Sequence, residues 1–267
     1  MRNLNKAYFI SDIHGFIEGL EQAEKVCTPS EPLYILGDLF DHKYGDEKQM
    51  IDLIIMMIDE QRCNLIMGNH DEVLFLIFFR FLDDQTLNAE LSHHSLNKVA
   101  TIFKTLFDES FYTSFISLIE QFTLDLDLDN YYKKVTELAL QENYKQTYDK
   151  VKRLYESSSR FETISIGSTK LLLNHCGSNK RPDCIDIVTT NYQAAVDVDY
   201  VVMGHLTIPY VEEFIQNIDN SVVYNKFIVN PKFDGLQVSE SILYNSYNKA
   251  IMIDDGSHTN LVTIEAT

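Results

Sequence analysis

Apolar residues gather along this chain in short continuous runs, and five of those runs end on polar residues. Ala7-Tyr8-Phe9-Ile10 leads into Ser11-Asp12, Leu33-Tyr34-Ile35-Leu36 into Gly37-Asp38, and Asn64-Leu65-Ile66-Met67 into Gly68-Asn69. Leu171-Leu172-Leu173 then precedes Asn174-His175, and Tyr200-Val201-Val202-Met203 precedes Gly204-His205. Unbroken apolar runs of this length predict strands covered on both faces. Between the first three, residues 16–27 and 48–61 carry apolar positions at helical spacing, with Ile51, Ile54, Ile55 and Ile58 as the clearest set. Strand and helix alternate as in βαβ units, and sites in such folds form at the carboxyl ends of strands, where these polar residues fall.

The pattern changes after Asp71. Residues 72–165 show helical periodicity without a further run that ends on a motif, and predict a helical insert or cap within one domain spanning 1–267. In it, residues 73–82 read as a buried helix, too short to span a bilayer and interrupted by Arg80. Ile102, Leu106, Phe115, Leu118, Ile119 and Phe122 predict one amphipathic helical stretch, and residues 131–155 predict a second. The insert is expected to overhang the site and to shape substrate choice. After His205, residues 222–229, 237–244 and 248–253 read as strands of a second sheet layer.

Composition narrows the function classes. A chain of 267 residues with 45% hydrophobic and 23% charged residues has material for a sizeable core and reads as soluble and globular. Its net charge of −18 repels phosphate backbones and anionic membrane surfaces at long range, so neither an extended nucleic acid nor a membrane is an expected partner. A small phosphorylated molecule can still be drawn in by bound dications. Cys27, Cys63, Cys176 and Cys184 lack C-x-x-C spacing, which fits reduced thiols, and the opening residues run into the first motif with no cleavable leader, so a cytoplasmic location is expected.

In chain order, Asp12-Ile13-His14, Gly37-Asp38-Leu39-Phe40-Asp41, Gly68-Asn69-His70-Asp71, Asn174-His175-Cys176-Gly177 and Gly204-His205 supply carboxylates, a carboxamide and imidazoles. That is the donor set a pair of divalent transition metals needs. Residues i and i+2 at a strand end point to one side, so Asp12 and His14 converge. The series resembles the calcineurin-like metallophosphoesterase superfamily, and most closely its phosphoprotein-phosphatase branch. The resemblance implies an α/β fold: a four-layer β-sandwich flanked by helices, here with the helical insert. It also implies two metal ions that share Asp38, with Asp12 and His14 on the first and Asn69, His175 and His205 on the second. The mixed oxygen and nitrogen shell suits manganese, with iron or zinc as alternatives.

By the same resemblance, His70 donates a proton to the leaving oxygen while Asp41 holds its tautomer. The implied reaction is hydrolysis of a phosphomonoester, on a phosphoprotein or a small metabolite, by water that the metals activate. Hydrolysis of a dinucleoside polyphosphate is the rival within the same chemistry, and a non-catalytic scaffold of the same fold is the alternative outside it.

Three positions depart from that branch. Asp41-His42-Lys43 stands where Asp-Arg-Gly is usual, which removes a planar fork for phosphate. His42, Lys43 and, further on, Lys180 and Arg181 are the candidates to bind substrate phosphate instead. Asp71 replaces a Glu, a change expected to matter little. Thr207 stands where diesterase branches carry a second His, which favours a phosphatase. Cys176 reads as a packed bystander, His93-His94 as solvent-facing, and residues 125–130 as a solvated helix start rather than a calcium loop. Phe103, Phe107, Phe111, Tyr112, Phe115, Tyr131 and Tyr132 read as core.

Overall fold

In the computed structural model, the residues described are 2–40, 47–79, 102–122, 128–175, 198–204, 227–229, 232–239, 243–245, 250–253 and 261–267. The first apolar runs form β2 (Lys6–Ile10), β3 (Leu33–Leu36) and β4 (Cys63–Ile66), adjacent and parallel, preceded by the short β1 (Arg2–Leu4). Later strands are β5 (Ser158–Ser159), β6 (Phe161–Ile166), β7 (Thr169–Asn174), β8 (Tyr200–Met203), β9 (Phe227–Val229), β10 (Leu236–Val238), β11 (Leu243–Asn245), β12 (Ala250–Met252) and β13 (Val262–Ala266). They build two sheets: six strands in the order β10-β13-β2-β3-β4-β5 and seven in the order β1-β6-β7-β8-β12-β11-β9.

Alternation along each strand divides the apolar side chains between two cores. Ala7 and Phe9 of β2, Tyr34 and Leu36 of β3 and Ile66 of β4 face the other sheet, where they meet Ile164, Ile166, Leu171, Leu173, Val202 and Ile251. Tyr8, Ile10, Leu33, Ile35, Cys63 and Leu65 point the opposite way, into a helical layer. On the seven-stranded sheet, Leu172, Val201, Met203, Ala250 and Met252 alternate with those sandwich residues and are buried too. Both faces of each apolar run are therefore dry, as an unbroken run predicts. The chain is mixed α/β, with two multi-stranded sheets and helices.

The helical layer starts with α1 (Glu18–Val26), α2 (Glu47–Asp59) and α3 (Asn69–Phe78), close to where periodicity puts the first two. Residues 102–106 are helical, followed by α4 (Glu109–Phe122), α5 (Leu128–Ala139) and α6 (Lys145–Ser157). Here the structure corrects two expectations. The stretch from Ile102 to Phe122 is broken at Phe107-Asp108, where the Asp108 carboxylate accepts the Phe111 N–H at 2.7 Å and caps α4. Residues 131–155 form two helices with a turn at 140–144; unbroken, they would run about 37 Å. The turn lets α5 pack on α3 and α4 while α6 packs on α2 and β4.

These helices share one hydrophobic cluster with β2, β3 and β4. Phe75, Phe78, Phe103, Phe107, Phe111 and Phe115 lie in it beside Ile10, Ile35 and Leu65. They extend the layer that α1 and α2 begin, and at Ser158 the chain returns to strand.

The carboxyl-terminal strands differ from expectation as well. Residues 237–244 are divided between β10 and β11, which lie in opposite sheets: β10 pairs with β13, with Ser239 bonded to Thr263, whereas β11 pairs with β12 and β9. β12 joins β8 and β11, and β13 joins β2 and β10.

Candidate metal centre

Because β2, β3 and β4 are parallel neighbours, Asp12, Asp38 and Asn69 emerge at one rim, and β7 brings His175 to it from the other sheet. Three non-glycine residues there hold left-handed backbone: Asp12 at φ 53°, His14 at 48° and Asp38 at 53°. Such conformations cost about 1 to 3 kcal/mol each and persist where surrounding contacts fix them. Those contacts are backbone bonds between the loops after β2 and β3: Asp12 N–H to Gly37 O, His14 N–H to Asp38 O and Gly15 N–H to Leu39 O, at 2.8 to 3.1 Å. Gly37, at φ +84°, has no room for a side chain, since a Cβ would sit 2.6 Å from both Gly68 Cα and His175 Nδ1.

Three imidazoles are oriented the same way. His175 Nδ1 lies 2.6 Å from Leu36 O, His70 Nδ1 3.1 Å from Phe40 O and His14 Nδ1 3.4 Å from that same oxygen. A carbonyl only accepts, so in each ring Nδ1 carries the proton and Nε2 faces the rim. His14 and His70 meet edge to face with centroids 5.1 Å apart.

Asp38 is the meeting point. Its carboxylate is 3.2 Å from His175 Nε2 and 4.0 Å from His70 Nε2, and it accepts the His70 backbone N–H at 2.9 Å. Two sets of donor atoms lie within 4.8 Å of one another, His14 with Asp38 and His70, and Asp12 with Asp38 and His175, and both contain Asp38. Carboxylate oxygen with imidazole nitrogen is chemistry that fits divalent transition ions. Asn69 adds a carboxamide oxygen 3.0 Å from His175 Nε2.

The electrostatics fit a cation. Burial alone would push the His175 imidazole down, but the carboxylates of Asp38 and Asp12 and the Leu36 carbonyl outweigh it and raise the ring to about 10. A cation bound there would displace that proton. Burial and the neighbouring Asp38 raise the Asp71 carboxyl to about 6, against the two N–H groups that hold it.

Of the residues singled out in the sequence, the structure brings together Asp12, His14, Asp38, Asn69, His70 and His175. Asp41, His42, Lys43, Lys180, Arg181 and His205 lie outside the described residues, as do Cys176, Cys184, His93, His94 and Thr207. Gly204, the residue before His205, packs on the site: a Cβ there would overlap Ser11 Oγ and come within 2.7 Å of Asp12 Oδ2.

Sequence reasoning missed several supporting groups. Ser11 hydroxyl holds Asp12 Oδ2 and lies 2.9 Å from Leu36 O. Asp71 is fully buried and accepts Leu39 N–H at 2.8 Å and Gly68 N–H at 2.9 Å, which clips the loop after β3 to the loop after β4. The second bond, from the N-cap amide of Gly68 to the N3 carboxylate, is one arm of a capping box, with Gly and Asp where the usual sequence signature has Ser or Thr and Glu or Gln. The Phe40 carbonyl, which receives two imidazoles, has no sequence signature.

Among the described residues no helix is long and apolar enough to cross a membrane. The sequence matches no curated protein. A metallophosphoesterase structure from Sphaerobacter thermophilus is similar at 14% identity and a TM-score of 0.42, with 99% of this chain and 89% of that one covered. The profile of the calcineurin-like phosphoesterases matches residues 6–209, which include all five polar signatures and both donor sets, and the chain belongs to that family.

Proposed function

We propose that this protein is a metal-dependent phosphatase that hydrolyses phosphomonoesters at a centre of two divalent transition ions, manganese foremost. The observation that carries the reading is the pair of donor sets sharing Asp38. The donor sets group His14 with His70 and Asp12 with His175 around Asp38. In the reading proposed, Asp12, His14 and Asp38 would hold one ion and Asp38, Asn69, His175 and His205 the other, with His70 left for proton transfer. Bound ions would activate a water molecule and polarise a phosphoryl oxygen.

The chain's own residues do the rest. Leu36 and Phe40 carbonyls fix the tautomers of His175, His14 and His70, so that each Nε2 faces the reacting group. His70, whose backbone N–H is tied to Asp38, presents Nε2 at the rim; in its doubly protonated form, with Nδ1–H held by the Phe40 carbonyl, it gives the Nε2 proton to the departing oxygen and is left neutral. Asp41, one residue past the Phe40 carbonyl, steadies that imidazole. His42, Lys43 and Arg181 are the candidates from the sequence to bind substrate phosphate.

The test is reconstitution of metal-stripped protein with manganese, followed by turnover of a phosphomonoester, a phosphodiester, a dinucleoside polyphosphate and a phosphopeptide. Turnover of the monoester or phosphopeptide above the others supports the reading. Preference for the diester or the polyphosphate replaces it, and metal binding without turnover of any of the four points to a scaffold.

A further inference from the structure

We propose that Arg160 is a phosphate-binding residue of this site, an inference that rests on the phosphatase reading above. No feature of the sequence marks it: Arg160 belongs to none of the five polar signatures and sits at the end of the helical stretch.

The backbone puts it at the rim from two directions. Ser159, the residue before it, pairs with Ile66 at the end of β4, and its carbonyl accepts the Met67 N–H at 2.8 Å. Phe161, the residue after it, pairs with Asn174 at the end of β7. Arg160 therefore bridges the two sheets where β4 delivers Asn69 and β7 delivers His175, whose side chains are 3.0 Å apart.

Its side chain is anchored but open. Glu72, in the first turn of α3 and three residues past Asn69, lies 3.7 Å from the guanidinium. The carboxylate is largely buried, with 16% of its side chain exposed, while Arg160 keeps 38%. A guanidinium presents five N–H donors in a planar fork, and the exposed part of this one is what an incoming anion meets. Its planar fork matches phosphate as Lys43 would not. In a chain of net charge −18, a cationic side chain on the backbone segment that joins the two sheets at this rim also answers the general repulsion of a phosphate ester.

The experiment is a calorimetric titration of inorganic phosphate into the manganese-reconstituted protein, in wild type, Arg160→Ala, Arg160→Lys and Glu72→Gln. Arg160→Ala is expected to weaken phosphate binding about tenfold, the order carried by one charge-assisted hydrogen bond, with manganese content unchanged. Arg160→Lys, which keeps the charge and the anchor but loses the fork, should fall between the two. Glu72→Gln should weaken binding less than Arg160→Ala does. Phosphate affinity within twofold of wild type in Arg160→Ala overturns the proposal, as does the absence of measurable binding to the wild-type protein. If Arg160→Ala does not fold, unchanged affinity in Arg160→Lys has the same force. Phosphate binding needs no turnover, so the two readings fail separately. A wild-type protein that cleaves no ester but loses phosphate at Arg160→Ala refutes the phosphatase, and undiminished ester turnover with an unchanged KM in Arg160→Ala refutes Arg160.

Discussion

Asp71 offers a perturbation whose size follows from its contacts. Its carboxylate is fully buried and accepts two backbone N–H groups, from Leu39 at 2.8 Å and Gly68 at 2.9 Å. Asp71→Ala leaves both donors without their acceptor; near pH 4 the carboxyl is protonated and one oxygen accepts well, so a loss of about 1 to 3 kcal/mol is expected there. Asp71→Asn keeps one acceptor oxygen and should lose about half as much.

The loss must then depend on pH in a defined direction. Burial first, and Asp38 second, raise the Asp71 carboxyl to about 6 in the fold, against about 4 in an unfolded chain. With the folded value the higher, the stability linked to its proton is fully present below about 4 and is lost as pH rises through about 6. Two units correspond to about 3 kcal/mol. The Asp71 contribution therefore falls by about that much between pH 4 and pH 7, and neither variant carries this titrating group. The deficit of Asp71→Ala should shrink across this range. Urea unfolding of the chelator-treated proteins at both pH values measures it. A deficit under about 1 kcal/mol at pH 4, or one that does not change with pH, refutes the clip.

Asp38→Ala should abolish binding of both metals, whereas His175→Ala should leave one, as read by elemental analysis after reconstitution; equal stoichiometry in the two variants would refute the shared ligand. Gly204→Ala forces a methyl group into Ser11 and Asp12, so a loss of about 1 to 3 kcal/mol in thermal unfolding, together with weaker metal binding, is expected. Gln61 holds φ 59° past the end of α2, with Gln61 N–H to Ile58 O and Arg62 N–H to Met57 O closing the helix. Gln61→Gly should raise stability by about 0.5 to 1 kcal/mol without changing metal content. Cys27, whose thiol is pushed up to about 12 by burial, and Cys63, pushed higher, should resist alkylation in the native protein and react only on unfolding, as peptide mass analysis would read.

How far the sequence could be read depends on whether a feature is local. The runs ending at Ile10, Leu36, Ile66, Asn174 and Met203 announce their strands because burial on both faces demands apolar residues at consecutive positions. Asp12, His14, Asp38, Asn69, His70 and His175 follow from those runs, since parallel strands deliver their ends to one rim. What stayed hidden depends on partners distant in sequence. Residues 237–244 cannot reveal that they serve two sheets, because β10 and β11 take their partners from β13 and from β12 and β9, distant in sequence. The turn at 140–144 exists because α5 and α6 have different partners, and periodicity alone does not encode which surfaces they find.

The same reasoning accounts for what supports the ligands. Side-chain chemistry is written in the sequence, whereas the groups that aim it here are largely main-chain: Leu36 O for His175, Phe40 O for His14 and His70, and the N–H groups of Leu39 and Gly68 for Asp71. Every residue but proline carries such groups, so their use leaves no compositional trace. The left-handed backbone at Asp12, His14 and Asp38 is the form this dependence takes, because those turns point carbonyls and amides inward while the strands hold them in place. A substitution that keeps all six side chains but shifts the loop after β3, such as Gly37→Ala, should therefore impair metal binding about as much as loss of a ligand, since it moves Gly68 and His175 together.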